Sequence, residues 1–382
     1  MAAGNAIMLS LTGILMVEPF LNMLPKPDDL PERTTVVTVG YGSDDSGVGP
    51  GGHELGGNIP GVRTFDVAGH PLGRTKANTG RGPDAILKGG ATATVNVLAK
   101  DGYDGVSPYY LAISAGGNDA ICISFIQMVR PDLQVFGWTG DIGKACGAPW
   151  YPSNREVNTN HTKPACVWID GDGRSGSGPN GINFKGIGLH MTDFTGYDGT
   201  AISYQADPSI MCKSKPRFWM YPELTIDDCI PAFDPILEYN DDKTDKDISK
   251  VVGVEGTTRE CLGPVPYGVD PDLWDQDYAY PSKRTTEAAP FMEGHLVSSA
   301  SPDHSAIEVC NSESSRGPDF LSLPEGVFCD MAAKKTYPVC TTYVKDTCFD
   351  TERKTLRVGA GPQRRGEIIP RKEYHKVGNW GI

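Results

Sequence analysis

No cysteine precedes Cys122, and no two cysteines anywhere in the chain form a Cys-x-x-Cys pair. The nearest two, Cys340 and Cys348, stand eight positions apart. Zinc-knuckle spacing and a thioredoxin-like redox motif are therefore both absent. The seven histidines, at 53, 70, 161, 190, 295, 304 and 375, form no His-x-x-x-His and no His-Glu-x-x-His, so zinc catalysis has no support in the sequence. The nucleophile elbow Gly-x-Ser-x-Gly is missing as well: Gly173-Arg174-Ser175-Gly176-Ser177 ends in serine where the turn needs glycine. Positive charge is scarce, with 35 Lys and Arg against 48 Asp and Glu and a net charge of −13. That balance repels phosphate backbones and argues against a nucleic-acid partner. No apolar run is long enough to span a bilayer. The longest mostly apolar stretch, residues 6–17 (AIMLSLTGILMV), suits either an apolar helix that packs on the protein and ends near Pro25 or an atypical leader. No Lys or Arg precedes it and no Ala-x-Ala-like cleavage site follows, so residues 1–25 read as that helix or leader.

What the chain does contain points to a β-rich protein. Its 382 residues can bury a substantial core, and 46 Gly with 30 Pro favour many turns and short strands over long helices. Ten cysteines, Cys122, Cys146, Cys166, Cys212, Cys229, Cys261, Cys310, Cys329, Cys340 and Cys348, are an even set without metal spacing. They read as a disulfide framework of a secreted, extracellular protein, with the connectivity left open. The sequon Asn160-His161-Thr162 lies in a polar stretch and is a candidate glycosylation site.

Strands are expected at residues 34–39, 61–67, 91–98, 109–114, 120–126, 134–138, 166–169 and 184–191, where β-branched and aromatic residues alternate between turn signals. The clearest hairpin runs from Tyr110 through Gly116-Gly117-Asn118-Asp119 to Ile126, since Gly and Asn tolerate the backbone such turns need. In its second strand Ile121, Ile123 and Phe125 share one face, and Ala120, Cys122 and Ile126 the other. Both faces are apolar, which places the hairpin at the centre of a sheet. The expected architecture is mainly β: an antiparallel β-sandwich body over residues 33–237, then a charged linker or loop at 238–250 (EYNDDKTDKDISK). A loop-rich, disulfide-stabilised C-terminal region over 251–382 follows, packed on the sandwich. The five cysteines after the linker require a bridge across it or an unpaired thiol.

Candidate chemistry is thin. Gly47-Val48-Gly49-Pro50-Gly51-Gly52 matches a dinucleotide fingerprint in letters, but Pro50 interrupts the turn and no amphipathic helix follows, so it reads as a loop. Asp170 and Asp172, before Gly173, resemble the start of a calcium loop; Arg174 and Gly181 at the fifth and twelfth positions rule out an EF-hand. A calcium ion near Asp170 and Asp172 is a weaker alternative to an ordinary Asp/Gly turn, and no cofactor or other metal is expected. Among the aromatics, Trp138 and Trp168 fit a sandwich core, whereas Trp150 and Tyr151, flanked by Pro149 and Pro152, are candidates for exposed rings that stack on a sugar or anchor a partner.

Three blocks, Gly116-Gly117-Asn118-Asp119-Ala120-Ile121-Cys122-Ile123, Trp138-Thr139-Gly140-Asp141-Ile142-Gly143-Lys144-Ala145-Cys146-Gly147 with Trp150-Tyr151, and Cys166-Val167-Trp168-Ile169-Asp170, stand out in the first half. Near the C-terminus Ser315-Arg316-Gly317-Pro318-Asp319-Phe320, Glu325-Gly326-Val327-Phe328-Cys329-Asp330-Met331 and Pro338-Val339-Cys340 do the same. Together they resemble a group of uncharacterised, cysteine-containing secreted proteins of filamentous fungi. The resemblance implies export, disulfides and a fungal source, and carries no activity with it. The function expected is non-catalytic binding of a polysaccharide, a cell surface or a protein partner, through Trp150, Tyr151, Asp170 and Asp172. The alternatives are an extracellular hydrolase or lyase using loop carboxylates, and a structural or effector-like interaction protein.

Overall fold

The computed structural model describes residues 33–43, 55–78, 80, 85–116, 120–157, 161–171, 181–194, 207–222, 230–238, 240–241, 244–254, 292–357 and 372–381. The readings made above for residues 1–25, for the Gly-rich run at 47–52 and for Asn160, Asp172, Cys229 and Cys261 lie outside them.

Two antiparallel sheets form the sandwich expected. In the first, β1 (Thr34–Tyr41) lies between β6 (Thr92–Leu98) and β8 (Ile121–Val129). On its other edge β8 pairs with β11 (Cys166–Ile169) and then with β9 (Val135–Thr139), and β10 (Trp150–Tyr151) flanks β11. The second sheet runs in the order β13 (Phe218–Tyr221), β12 (Gly186–His190), β7 (Tyr110–Ser114), β3 (Gly61–Phe65), β4 (Pro71–Thr75). Between them Val37, Val39, Val62, Leu111, Ile113, Ile121, Ile123, Trp138, Val167, Ile187 and Leu189 make one continuous core. Each aliphatic side chain fully buried there contributes roughly 1.5–3 kcal/mol. Two short pairs, β2 (Gly57–Asn58) with β5 (Ile86–Leu87) and β14 (Ala232–Phe233) with β15 (Val251–Val252), complete the body.

The expected hairpin is not made. β7 and β8 fall where the pattern puts strands, but β7 pairs with β3 and β12 while β8 pairs with β1, β9 and β11. The segment between them therefore crosses from one sheet to the other. Side-chain parity within β8 also differs from simple alternation. Gly40 of β1 stands opposite Phe125 and Tyr41 opposite Ile123, so Ser124 is an extra residue and the strand bulges there. Beyond the bulge Ile126 and Met128 join Ile121 and Ile123 in the sandwich core, and Phe125 turns away. A Cβ at position 40 would lie only 2.0 Å from Phe125 Cε1, so glycine at that position is what leaves room for the ring.

The charged run at 238–250 separates no domains: β14 before it and β15 after it pair with each other, which makes the run a loop of the body. Lys246 Nζ meets Glu238 at 2.9 Å within it, and Ser214 Oγ donates to Asp245 near its middle.

The C-terminal region is less loop-like than its composition suggests. It builds a five-stranded sheet in the order β19 (Lys335–Pro338), β18 (Val327–Asp330), β17 (Asp319–Ser322), β16 (His295–Ser299), β22 (Lys376–Trp380), in which β16 runs parallel to both neighbours. A small hairpin, β20 (Cys348–Asp350) with β21 (Thr355–Arg357), follows β19 in the chain. Two short helices occur among the described residues, α1 (Gly140–Ala145) and α2 (Ala306–Asn311). The second starts on a capping serine, Ser305 Oγ accepting from Glu308 N at 3.0 Å, and turns Ala306, Val309 and Cys310 inward. This third layer packs on the outer face of the first sheet, where Cys122, Cys166, Trp168, Trp150 and Tyr151 share a core with Val297, Val309, Phe320 and Trp380.

Four disulfides are described: Cys122–Cys166, Cys146–Cys212, Cys310–Cys329 and Cys340–Cys348. Two lie in the body and two in the C-terminal region, so none of these four crosses 238–250.

Candidate functional site

The aromatic pair expected at the surface is buried. Trp150 is 2% and Tyr151 0% exposed, because β10 is covered by residues 312–318 of the C-terminal region. Trp150 N donates to Ser314 O at 3.2 Å, Arg316 N donates to Trp150 O at 2.8 Å, and the indole Nε1 donates to Ser312 Oγ at 2.9 Å. Tyr151 OH donates to Pro318 O at 3.0 Å, and its ring meets Phe320 and Trp380 edge-on. Lys144 Nζ sits 4.2 Å above the Trp150 ring and 2.7 Å from Glu308. Neither ring is free to stack on a sugar; both are anchors of a seam between body and C-terminal sheet. The prolines on either side suggested exposure, but the strand they flank is paired on both edges, with β11 on one and by a bridge to Ser315 on the other.

Asp170, the residue after β11, is fully buried, its backbone N–H donating to Phe184 O at 2.8 Å. The loop that follows it, with Asp172, lies outside the described residues; among the described residues no group of three or more His, Cys, Asp or Glu is placed to hold a metal ion. Trp138 and Trp168 occupy core positions as their flanking pattern implies, and Trp168 Nε1 reaches across the seam to Arg316 O at 3.0 Å.

Sequence reasoning missed the histidines. His304 is buried in the seam, Nδ1 2.8 Å from Ser299 Oγ and Nε2 3.2 Å from Ser153 O of the body, with its ring against Trp380. Burial pushes its pKa down from 6.5 to about 4, with Lys163 and Lys144 adding to the effect. His190 ends β12, and the tight helical turn after it supplies two partners: Thr192 Oγ1 lies 2.9 Å from Nε2 and Asp193 Oδ2 3.0 Å from Nδ1. Hydroxyl, imidazole and carboxylate stand here in the order of a nucleophilic triad. The ring between them is wholly buried, 4.4 Å from Tyr110 and 5.6 Å from Phe233, and Arg217 Nε approaches Asp193 at 3.5 Å. That enclosure makes the relay a clamp joining β12 to the chain before β13.

On the far side of Phe233 the surface opens into a depression of about 410 Å³, lined by Ala68, His70, Phe233, Asp234, Pro235, Ile236 and Val252. The turn between β3 and β4 forms one wall. Asp66 accepts from the backbone N–H of Ala68 and His70, both at 2.8 Å, and its second oxygen lies 3.0 Å from His70 Nδ1, which fixes the imidazole at the rim. The opposite wall follows β14, whose Phe233 N donates to Tyr110 OH at 3.1 Å, and it presents Ile236 half exposed. The site thus offers an apolar floor with one imidazole and one carboxylate beside it. Nothing in the alternation of residues 230–236 marks them as a site, since the wall exists only once β14 and β15 close on the β3–β4 turn.

No helix among the described residues is long and apolar enough to cross a membrane. No protein-family model and no curated protein matches the sequence. Two crystal structures of LOX variants carrying the Delta413-417:GS change are similar in part: one is 14% identical over 28% of this chain with a TM-score of 0.20, the other 12% identical over 28% with 0.18. These likenesses span 14% and 15% of the LOX chains.

Proposed function

We propose that the protein is an extracellular, non-catalytic binding protein that holds a polysaccharide or a glycan-bearing surface in the depression beside Phe233. The observation that carries the proposal is that depression: at about 410 Å³ it falls in the range of ordinary ligand pockets, with an apolar floor and two polar groups, His70 and Asp234, for orientation. Such a mixture suits a sugar, whose ring faces are apolar and whose edges are hydroxyls. Four disulfides support an oxidising compartment, the net charge of −13 disfavours nucleic acid, and the resemblance to secreted fungal proteins points the same way. Glycosylation at Asn160 belongs to this reading.

The test is a screen of the secreted protein against immobilised glycans and insoluble cell-wall material, with the same screen on Ile236→Asp. Binding that the substitution removes supports the proposal, and a blank screen removes it. A hydrolytic reading has one support, the Thr192–His190–Asp193 relay, against which stands the burial of its ring. Hydrolysis of any glycan or ester in the panel, lost in Thr192→Ala, would replace the binding proposal with it.

A further inference from the structure

At one end of the third sheet two carboxylates, a lysine and a tyrosine meet in a buried cluster. Asp319 begins β17, Asp330 ends β18, and Lys372 and Tyr374 lie in the segment that enters β22. Lys372 Nζ is 2.9 Å from Asp319 Oδ2 and 2.7 Å from Asp330 Oδ1. Both aspartates are buried, Asp330 completely, and the lysine side chain is only 14% exposed. An ion pair of this kind gains little net stability when it is taken out of water, so its geometry invites a second explanation.

We propose that Lys372 and Asp319 condense to an intramolecular amide, with Asp330 as the proton carrier. The inference is independent of the binding site.

Three details of the cluster support the chemistry. The Asp319 carboxyl is polarised from two sides, Tyr374 OH donating to Oδ2 at 2.7 Å and Met331 N–H to Oδ1 at 2.8 Å. Those donors stabilise the charge that develops on oxygen when an amine adds to the carboxyl carbon. Burial pushes the Asp319 carboxyl up against the pull of Lys372 and Tyr374, which favours the protonated, electrophilic form. Asp330 is equipped to take the proton that the lysine must lose: Oδ1 faces the ammonium and accepts from Ala332 N and Ala333 N, while Oδ2 is buried with no hydrogen-bond partner among the described residues. Burial lowers the lysine's affinity for that proton, but its carboxylate partners outweigh burial, so the transfer has to come from within the cluster.

The step balances without any other reactant. Lys372 gives a proton to Asp330 and the free amine adds to the carbon of the protonated Asp319 carboxyl; Asp330 returns that proton to the departing hydroxyl, which leaves as water, and takes up the second proton that the nitrogen sheds. One C–N bond forms, one C–O bond breaks, and a carboxyl and an ammonium become an amide, one water and a proton held on Asp330. The product ties the segment entering β22 to β17, two strands away in the sheet, and holds Trp380 against Tyr151 at the seam.

Proteolytic mapping of the full-length secreted protein, reduced and alkylated, decides the matter. The expected result is a branched peptide pair joining Lys372 to Asp319, lighter than the sum of its parts by one water, about 18 Da, with no tryptic cleavage after Lys372. Asp319→Asn should reach the same product by loss of ammonia, whereas Lys372→Arg and Asp330→Asn should leave peptides of full mass. Tryptic cleavage after Lys372 in the wild-type chain, with both aspartate peptides at full mass, overturns the proposal. A branch to Asp330 instead of Asp319 overturns its assignment of roles.

Discussion

The indole nitrogen of Trp168, in the middle of the first sheet's outer face, donates to the carbonyl of Arg316 at 3.0 Å across 148 positions of sequence. One residue further along, Gly317 adopts φ +139° beside the Tyr151 ring, and a Cβ there would stand 2.5 Å from Tyr151 Cδ2. The seam is thus closed by a backbone that passes directly over two aromatic rings.

Gly317→Ala is therefore expected to destabilise the protein by roughly 1–3 kcal/mol, since it meets both an unfavourable backbone and a clash. Tyr151→Phe, which removes only the hydroxyl bonded to Pro318 O, is expected to lose about 1 kcal/mol. Chemical denaturation followed by tryptophan fluorescence measures both, and an alanine at 317 without effect would mean the seam is looser than described.

The disulfides differ in the loop each closes, from 8 residues for Cys340–Cys348 to 66 for Cys146–Cys212. In the chain-entropy account the first restricts the unfolded chain by roughly 2.5 kcal/mol and the second by roughly 4 kcal/mol. Paired serine substitutions at Cys146 and Cys212 should accordingly lower the melting temperature more than the pair at Cys340 and Cys348. The reverse order would point to native-state packing at β20 as the larger effect.

The strands of the sandwich were legible in the residues, their partners much less so. Thr34 to Val39 read as a strand and is one, and the runs that became β3, β6, β7, β8, β9, β11 and β12 were placed to within a few positions. The link between β7 and β8 was misread because Gly and Asn license a tight hairpin and a crossover between sheets equally well, and two strands apolar on both faces do not say which sheet they enter. The bulge at Ser124 is equally silent, since it is set by the pairing with Gly40 and Tyr41 in β1. Parallel pairing of β16 with β17 and β22 has no local turn to announce it. Trp150 and Tyr151 are buried and not exposed as their flanking prolines suggest, because the residues that cover them lie more than a hundred positions away.

His304 makes stability depend on pH in a definite direction. Its folded pKa, held down at about 4 mainly by burial and also by Lys163 and Lys144, is opposed only by the Ser153 carbonyl and Asp303. The unfolded ring takes a proton near pH 6.5 that the folded ring refuses, so the contribution is intact above pH 6.5 and is lost as pH falls towards 4. The full loss amounts to roughly 3 kcal/mol. Asp141 acts with the opposite sign, because burial raises its pKa to about 6 and protonation there relieves a buried charge. The two are separated by comparing the wild type with His304→Gln. The difference in unfolding free energy between them should shrink from pH 7 to pH 4, and a constant difference would contradict a neutral buried ring.

Binding at the depression is the central claim, and titration of the best polysaccharide from the screen into the wild type, His70→Ala and Ile236→Asp tests it most directly. The depression should be the place of contact, so each substitution should weaken affinity about tenfold or more, while Trp150→Phe, confined to the seam, should leave it unchanged. Equal affinity in all four proteins, or no measurable binding by the wild type, would contradict the claim.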